Sequence, residues 1–98
     1  MLQLLCWNRV RDYDRWRAVF DSHGDAHQDS GLSLVCMWRE QGAPDSVHFL
    51  FDVTDEGRAR AFLEAPESAQ AGLDSGVLEG AFAFVEPLPG GSGRGSGP

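Results

Sequence analysis

Three histidines, His23, His27 and His48, are the side chains of this sequence whose ordinary titration falls nearest neutral pH, and the first two stand four residues apart. On a helix that spacing brings both imidazoles to one face. Tyr13, Trp16, Val19 and Phe20 fall on the same face, while Arg15, Arg17, Asp21 and Asp25 take the other. An imidazole walled by apolar groups can accept a proton from a phenol, so His23 and His27 are the candidate catalytic bases, His23 first. Tyr13, Trp16 and Phe20 are candidate substrate contacts, because flat rings with one O–H and one N–H donor suit a planar aromatic ligand. Asn8 joins them: an amide in an apolar run needs a partner or a ligand if it is buried. His48, on a later apolar run, completes the set. A competing reading stands beside each. His23 could be a core histidine bonded to a backbone carbonyl or to Asp21 or Asp52, His27 lies near a helix end that frays, and core packing accounts for Tyr13 and Trp16 equally well.

Other chemistries find less support. His-x-x-x-His with His48 as a third ligand would be a metal set, but the glutamate of HExxH is missing and Gly24 loosens the helix between the ligands, so no metal is expected. No GxSxG elbow is present, and neither Cys6 nor Cys36 sits beside a basic group or helix start that would favour thiolate. The glycines near the end follow the last strand and open no helix, so they are not a phosphate loop. Two cysteines without CxxC spacing read as free thiols of a reducing compartment, hence a cytoplasmic protein. A formal charge of -7 opposes nucleic acid and anionic membrane surfaces as partners. The apolar opening MLQLLCW is too short for a signal peptide or a membrane span.

The elements that must position these residues follow from periodicity. Leu2 to about Val10 reads as a strand. Asp12 is a good N-cap for the helix that follows, Asp14 suits its first turn, and Gly31 is a natural stop. Leu32 to Trp38 and Val47 to Phe51 are apolar on both parities and form a hairpin across QGAPDS. A second helix starts at Thr54 or Asp55, carries Ala59, Phe62 and Leu63 inward, breaks where Ala65 meets Pro66, and resumes to about Gly76. The last strand runs about Gly80 to Glu86 with Phe82 and Phe84 on one face. From Pro87 the text is a Gly/Ser/Pro tail with almost nothing to bury. Residues 1–86 are therefore expected to be one domain and 87–98 a flexible end.

Strand, helix, hairpin, helix, strand is the βαββαβ order of the ferredoxin-like α+β class, with an antiparallel four-stranded sheet, its first and third strands central, and helices on one face. Two helices cover one side of such a sheet. The strands are apolar on both parities, so the second side is left greasy, and pairing with a second copy is the simplest cover. Which parity faces the helices stays open.

The segment VRDYDRWRAVFDSH, Val10 to His23, resembles the first helix of the small dimeric α/β-barrel proteins grouped with antibiotic biosynthesis monooxygenases and often labelled cyclases. Val10, Asp12, Tyr13, Trp16, Phe20, Asp21 and His23 carry the match. PDSVHFLFDVTD is similar to that family's third strand and helix entry, and RAFLEAPESAQAGLDSGV to its second helical region, so the likeness spans roughly Leu2 to Glu86. Gly24 and His27 lie outside the pattern, and Asn8 lacks the Asn-x-x-x-Trp signature of the heme-degrading branch. The resemblance implies a homodimer and, from the better-known branch, oxidation of a fused aromatic by dioxygen with no metal, flavin or other cofactor. The function expected is that of a secondary-metabolism enzyme, a cofactor-independent monooxygenase or a cyclase acting on an aromatic polyketide-like substrate. The alternative is a non-catalytic dimer that binds a ligand or serves a structural role.

Overall fold

The computed structural model describes residues 1–91. Along them run β1 (Gln3–Val10), α1 (Tyr13–Ser22), α2 (Gly24–Asp29), β2 (Leu32–Glu40), β3 (Ala43–Val53), α3 (Glu56–Glu64), α4 (Pro66–Ser75) and β4 (Val77–Val85). The four strands form one antiparallel sheet in the order β2-β3-β1-β4, so the first and third strands are central, as the ferredoxin-like α+β pattern predicts. Of the tail expected from Pro87 onward, residues 92–98 lie outside the described residues. Among the described residues no helix is long and apolar enough to cross a membrane.

Local chemistry starts both helical layers. Asp12 accepts from the backbone N–H groups of Asp14 at 3.0 Å and Arg15 at 3.3 Å, which caps α1. Asp55 does the same for α3 through Arg58 N–H at 2.9 Å. The break at Ala65–Pro66 is present, with Pro66 opening α4 where its missing N–H costs nothing.

Two elements differ from expectation. The helix read as continuous past Gly24 is two helices, interrupted at His23 (φ −100°, ψ 14°), because glycine removes the propensity that would carry the helix through. The hairpin loop is shorter than QGAPDS: β2 and β3 run on until only Gln41 and Gly42 separate them. Gly42, the second turn residue, takes φ 84°, a left-handed conformation that glycine permits, and this allows the flanking residues to pair.

The register settles the parity. Leu4 and Cys6 lie opposite Phe51 and Phe49 on β3 and opposite Phe84 and Phe82 on β4, so these side chains share one face. It is the helix-covered face: the Trp16 ring lies 5.5 Å from Phe49, and Phe20 lies 5.4 Å from Phe49 and 6.1 Å from Phe51. Leu4, Trp16, Leu32, Val47 and Ala59 are sealed within this layer. The opposite face is also apolar. Leu5 and Trp7 face Leu50 and His48 in register, with Trp38 next across β2, and Leu5 and Trp38 remain 43% and 47% exposed.

Candidate functional site

A cavity of about 310 Å³ opens between the helices and the sheet. Its origin lies in an imbalance between two helices. α1 contributes large rings, with Trp16 stacked on Phe20 at 5.0 Å. α4 contributes Ser68, Ala69, Gly72 and Ser75, side chains too small to meet them. The one large apolar residue of α4, Leu73, points to solvent at 72% exposure. A core helix would ordinarily place such a residue inward, so its absence there leaves space.

Five of the seven predicted site residues meet at this cavity: Asn8, Trp16, Phe20, His23 and His27. His23 reaches it because it occupies the interruption between α1 and α2, where its backbone N–H bonds Phe20 O at 3.1 Å. His27 is half-buried against aromatic rings, with centroids 4.9 Å from Phe20, 5.3 Å from Phe51 and 5.5 Å from Phe62. Burial in these walls, and secondarily the neighbouring His23, hold the His27 imidazole below its ordinary pKa. The partners considered for His23 are engaged elsewhere: Asp21 pairs with Arg17 at 3.0 Å, and Asp52 accepts from Gln3 at 3.0 Å on the opposite sheet face. Among the described residues neither imidazole of the cavity takes part in a side-chain hydrogen bond, whereas His48 does.

Asn8 is satisfied from within the protein. Its surroundings assign the amide so that the oxygen accepts from Trp16 Nε1 at 3.2 Å and the nitrogen donates to Trp7 O at 2.8 Å. The amide fixes the tilt of the indole that forms one wall. Cys6 lies in the same floor, its thiol pushed up to about 12 by burial, and is an uncharged wall rather than a nucleophile.

Two predicted residues stand apart. His48 lies on the other side of the sheet, its Nε2 2.8 Å from Glu40 Oε1, because β3 alternates and Val47 and Phe49 take the inner face. Tyr13 is on the far side of Trp16, in a separate recess with Arg17, Met37 and Arg39. No three His, Cys, Asp or Glu side chains among the described residues are grouped to hold a metal ion. The sequence reading missed the α4 wall and Gly80. The signal for the α4 wall was a helical stretch, PESAQAGLDS, whose residues other than Leu73 are small or polar.

No protein-family model matches the chain, and no curated protein matches it in sequence. Solved structures do match. One, from Bordetella bronchiseptica, is described as a candidate antibiotic biosynthesis monooxygenase; it superposes with a TM-score of 0.71 at 12% identity, over 90% of this chain and 97% of the other. A protein of like description from Deinococcus radiodurans gives 0.64 at 14% identity, over 91% and 94%. A NIPSNAP domain protein from Burkholderia xenovorans gives 0.62 at 15% identity, over 90% and 95%. The chain has their fold. This is the ferredoxin-like α+β architecture. The likeness is in the path of the backbone, while the side chains of the cavity belong to this sequence.

Proposed function

We propose that this protein is a small-molecule enzyme of secondary metabolism, a cofactor-independent monooxygenase that oxidises a planar phenolic substrate of aromatic polyketide type. The observation that carries the reading is the internal cavity reached by two imidazoles that, among the described residues, no other side chain hydrogen-bonds. Its volume of about 310 Å³ is at the lower end of ligand sites, and its walls are aromatic on one side and small on the other, a slot for a flat molecule. The names of the structural neighbours point the same way.

In this reading a neutral imidazole, His23 or His27, takes the phenolic proton. The phenolate gives one electron to dioxygen, the resulting radical pair forms a carbon–oxygen bond at a ring C–H, the imidazolium returns its proton to give the hydroperoxide, and loss of water with that carbon's hydrogen leaves a carbonyl. The oxidant is dioxygen and the substrate is what it oxidises. Trp16 and Phe20 hold the ring, and Asn8 acts through Trp16. A cyclase would use the same base on a carbon acid and consume no oxygen.

The working unit in this proposal is a cytoplasmic homodimer of single-domain subunits spanning residues 1–86. The exposed apolar side of the sheet, with Leu5, Trp7, Leu50 and Trp38, supports the pairing, since a second copy would remove it from water. A second reading, a dimer that binds a ligand without chemistry, draws on Asn8 and the Ser75 hydroxyl, which the fold itself satisfies.

Oxygen uptake with a panel of fused-ring phenols tests the proposal. Substrate-dependent uptake that is lost in His23→Ala or in His27→Ala supports it, and uptake unchanged in both overturns it. Turnover without oxygen uptake identifies the cyclase, and tight binding without turnover identifies the ligand-binding dimer.

A further inference from the structure

A second recess, independent of the cavity above, opens where α1 meets the hairpin end of β2. Two guanidinium groups converge there on one phenol. Arg17 Nη1 donates to Tyr13 Oη at 3.1 Å and to Met37 Sδ at 3.3 Å, and the Arg39 guanidinium carbon lies 4.4 Å over the centre of the Tyr13 ring. Arg17 has a counter-charge in Asp21. Arg39 takes part in none of the ion pairs among the described residues. In a chain of net charge -7 the named groups of this spot carry two positive charges against one negative.

The hydrogen bonds already made in the recess leave several donors unspent. Tyr13 Oη accepts from Arg17, so its own hydrogen is free to donate, and a hydroxyl that is already accepting is polarised toward donation. Arg39, its guanidinium carbon over the Tyr13 ring, makes no side-chain hydrogen bond among the described residues, so its fork of N–H donors is unspent. Arg17 spends Nε on Asp21 and Nη1 on Tyr13 and Met37, and retains Nη2. The remaining side-chain walls are apolar: Met37 and Val47 line a space of about 240 Å³.

We propose that this recess binds a small carboxylate carried on an apolar or aromatic body. Arg39 and Arg17 take the carboxylate oxygens, Tyr13 donates its O–H, and Met37 and Val47 receive the body. A carboxylate matches the planar guanidinium fork in pairs of hydrogen bonds. The volume restricts the body to about the size of a single ring, since it lies below the range of drug-sized sites.

Benzoate is the probe. Titrated into the full chain at constant ionic strength and followed by NMR, it should shift the Nε–Hε signals of Arg17 and Arg39 and the methyl signal of Met37 with one saturable curve. Arg39→Gln should weaken binding by about tenfold or more, as removal of a charge-assisted pair does, and Tyr13→Phe should weaken it several-fold. Arg58→Gln, which changes an exposed arginine on α3, should leave the curve unchanged and so exclude loss by net charge alone. Arg39 is exposed, and retention of the remaining spectrum in Arg39→Gln shows that its fold is intact. The proposal is overturned if the shifts fail to saturate or if Arg39→Gln binds as wild type does. It is equally overturned if inorganic phosphate saturates the same signals as tightly as benzoate, for then the apolar walls play no part. None of these outcomes depends on the histidine cavity.

Discussion

Trp16 Nε1 donates to the side-chain oxygen of Asn8 across 3.2 Å, tying the first helix to the central strand at the wall of the cavity. Replacing Asn8 with Leu removes the acceptor and leaves a buried N–H without a partner, which costs roughly 1–3 kcal/mol. Urea unfolding of Asn8→Leu should show that loss, and Asn8→Leu with Trp16→Phe should recover part of it. An Asn8→Leu protein as stable as wild type would mean the bond contributes nothing.

Gly80 touches the same amide from the neighbouring strand. A Cβ built on Gly80 would lie 2.8 Å from the Asn8 amide head and 3.4 Å from Trp7 O. Gly80→Ala should therefore destabilise the fold by about 1–3 kcal/mol, the usual cost of overpacking, although alanine suits a strand better than glycine does. Thermal unfolding at fixed protein concentration checks the sign; a rise in Tm would contradict the tight approach.

Filling the cavity should separate stability from activity. A side chain on Gly72 meets nothing within 4 Å at its Cβ, and Gly72 lines the cavity from a helix interior. Gly72→Leu is expected to gain about 1 kcal/mol from helix propensity alone while excluding the substrate. Greater stability together with lost oxygen uptake is the expected pair of results. Full turnover in this variant would sink the proposal that chemistry occurs there.

The depressed pKa of His27 has two consequences. Its neutral form persists to lower pH than that of an ordinary imidazole, so if His27 is the base, the acid limb of kcat/KM should fall below about 6.5. Stability should respond over the same range. Because the unfolded chain takes up the proton first, stability is complete above the ordinary imidazole pKa, begins to fall near it, and continues to fall as pH descends to the lower folded value. His27→Gln should flatten that segment of the stability profile. An unchanged slope between wild type and variant would contradict the burial assigned to this ring.

The outer sheet face makes the dimer testable. Trp38→Glu and Leu5→Glu each place charge on a surface that a partner copy would bury, at positions 47% and 43% exposed in the single subunit. Sedimentation of wild type at micromolar concentration should give a dimer, and either variant should shift it toward monomer while keeping its circular dichroism spectrum. A wild-type monomer would remove the pairing from the proposal.

Much of this arrangement was legible along the chain. Asp12 and Asp55 announced their helices because a carboxylate one residue before an amphipathic run has orphan N–H groups to accept from. The Ala65–Pro66 break followed from the ring and the missing donor of proline. His23 and His27 were found as a pair because one helical period brings them together, although the helix between them breaks at His23. Tyr13 obeys the same period and yet leaves the group, since Trp16 fills the space between and Arg17 and Arg39 hold the phenol on the far side.

What the amino-acid order determined by itself was local: which stretches are strands or helices, where they start, and that the sheet is apolar on both sides. The tertiary structure decided which parity faces the helices, and with it that Asn8 joins the cavity while His48 does not. It also decided that a cavity exists at all. A strand alternates with a period of two whichever way it is turned, and small residues on α4 leave a void only when the rings of α1 stand opposite them, a relation that distance along the chain does not encode.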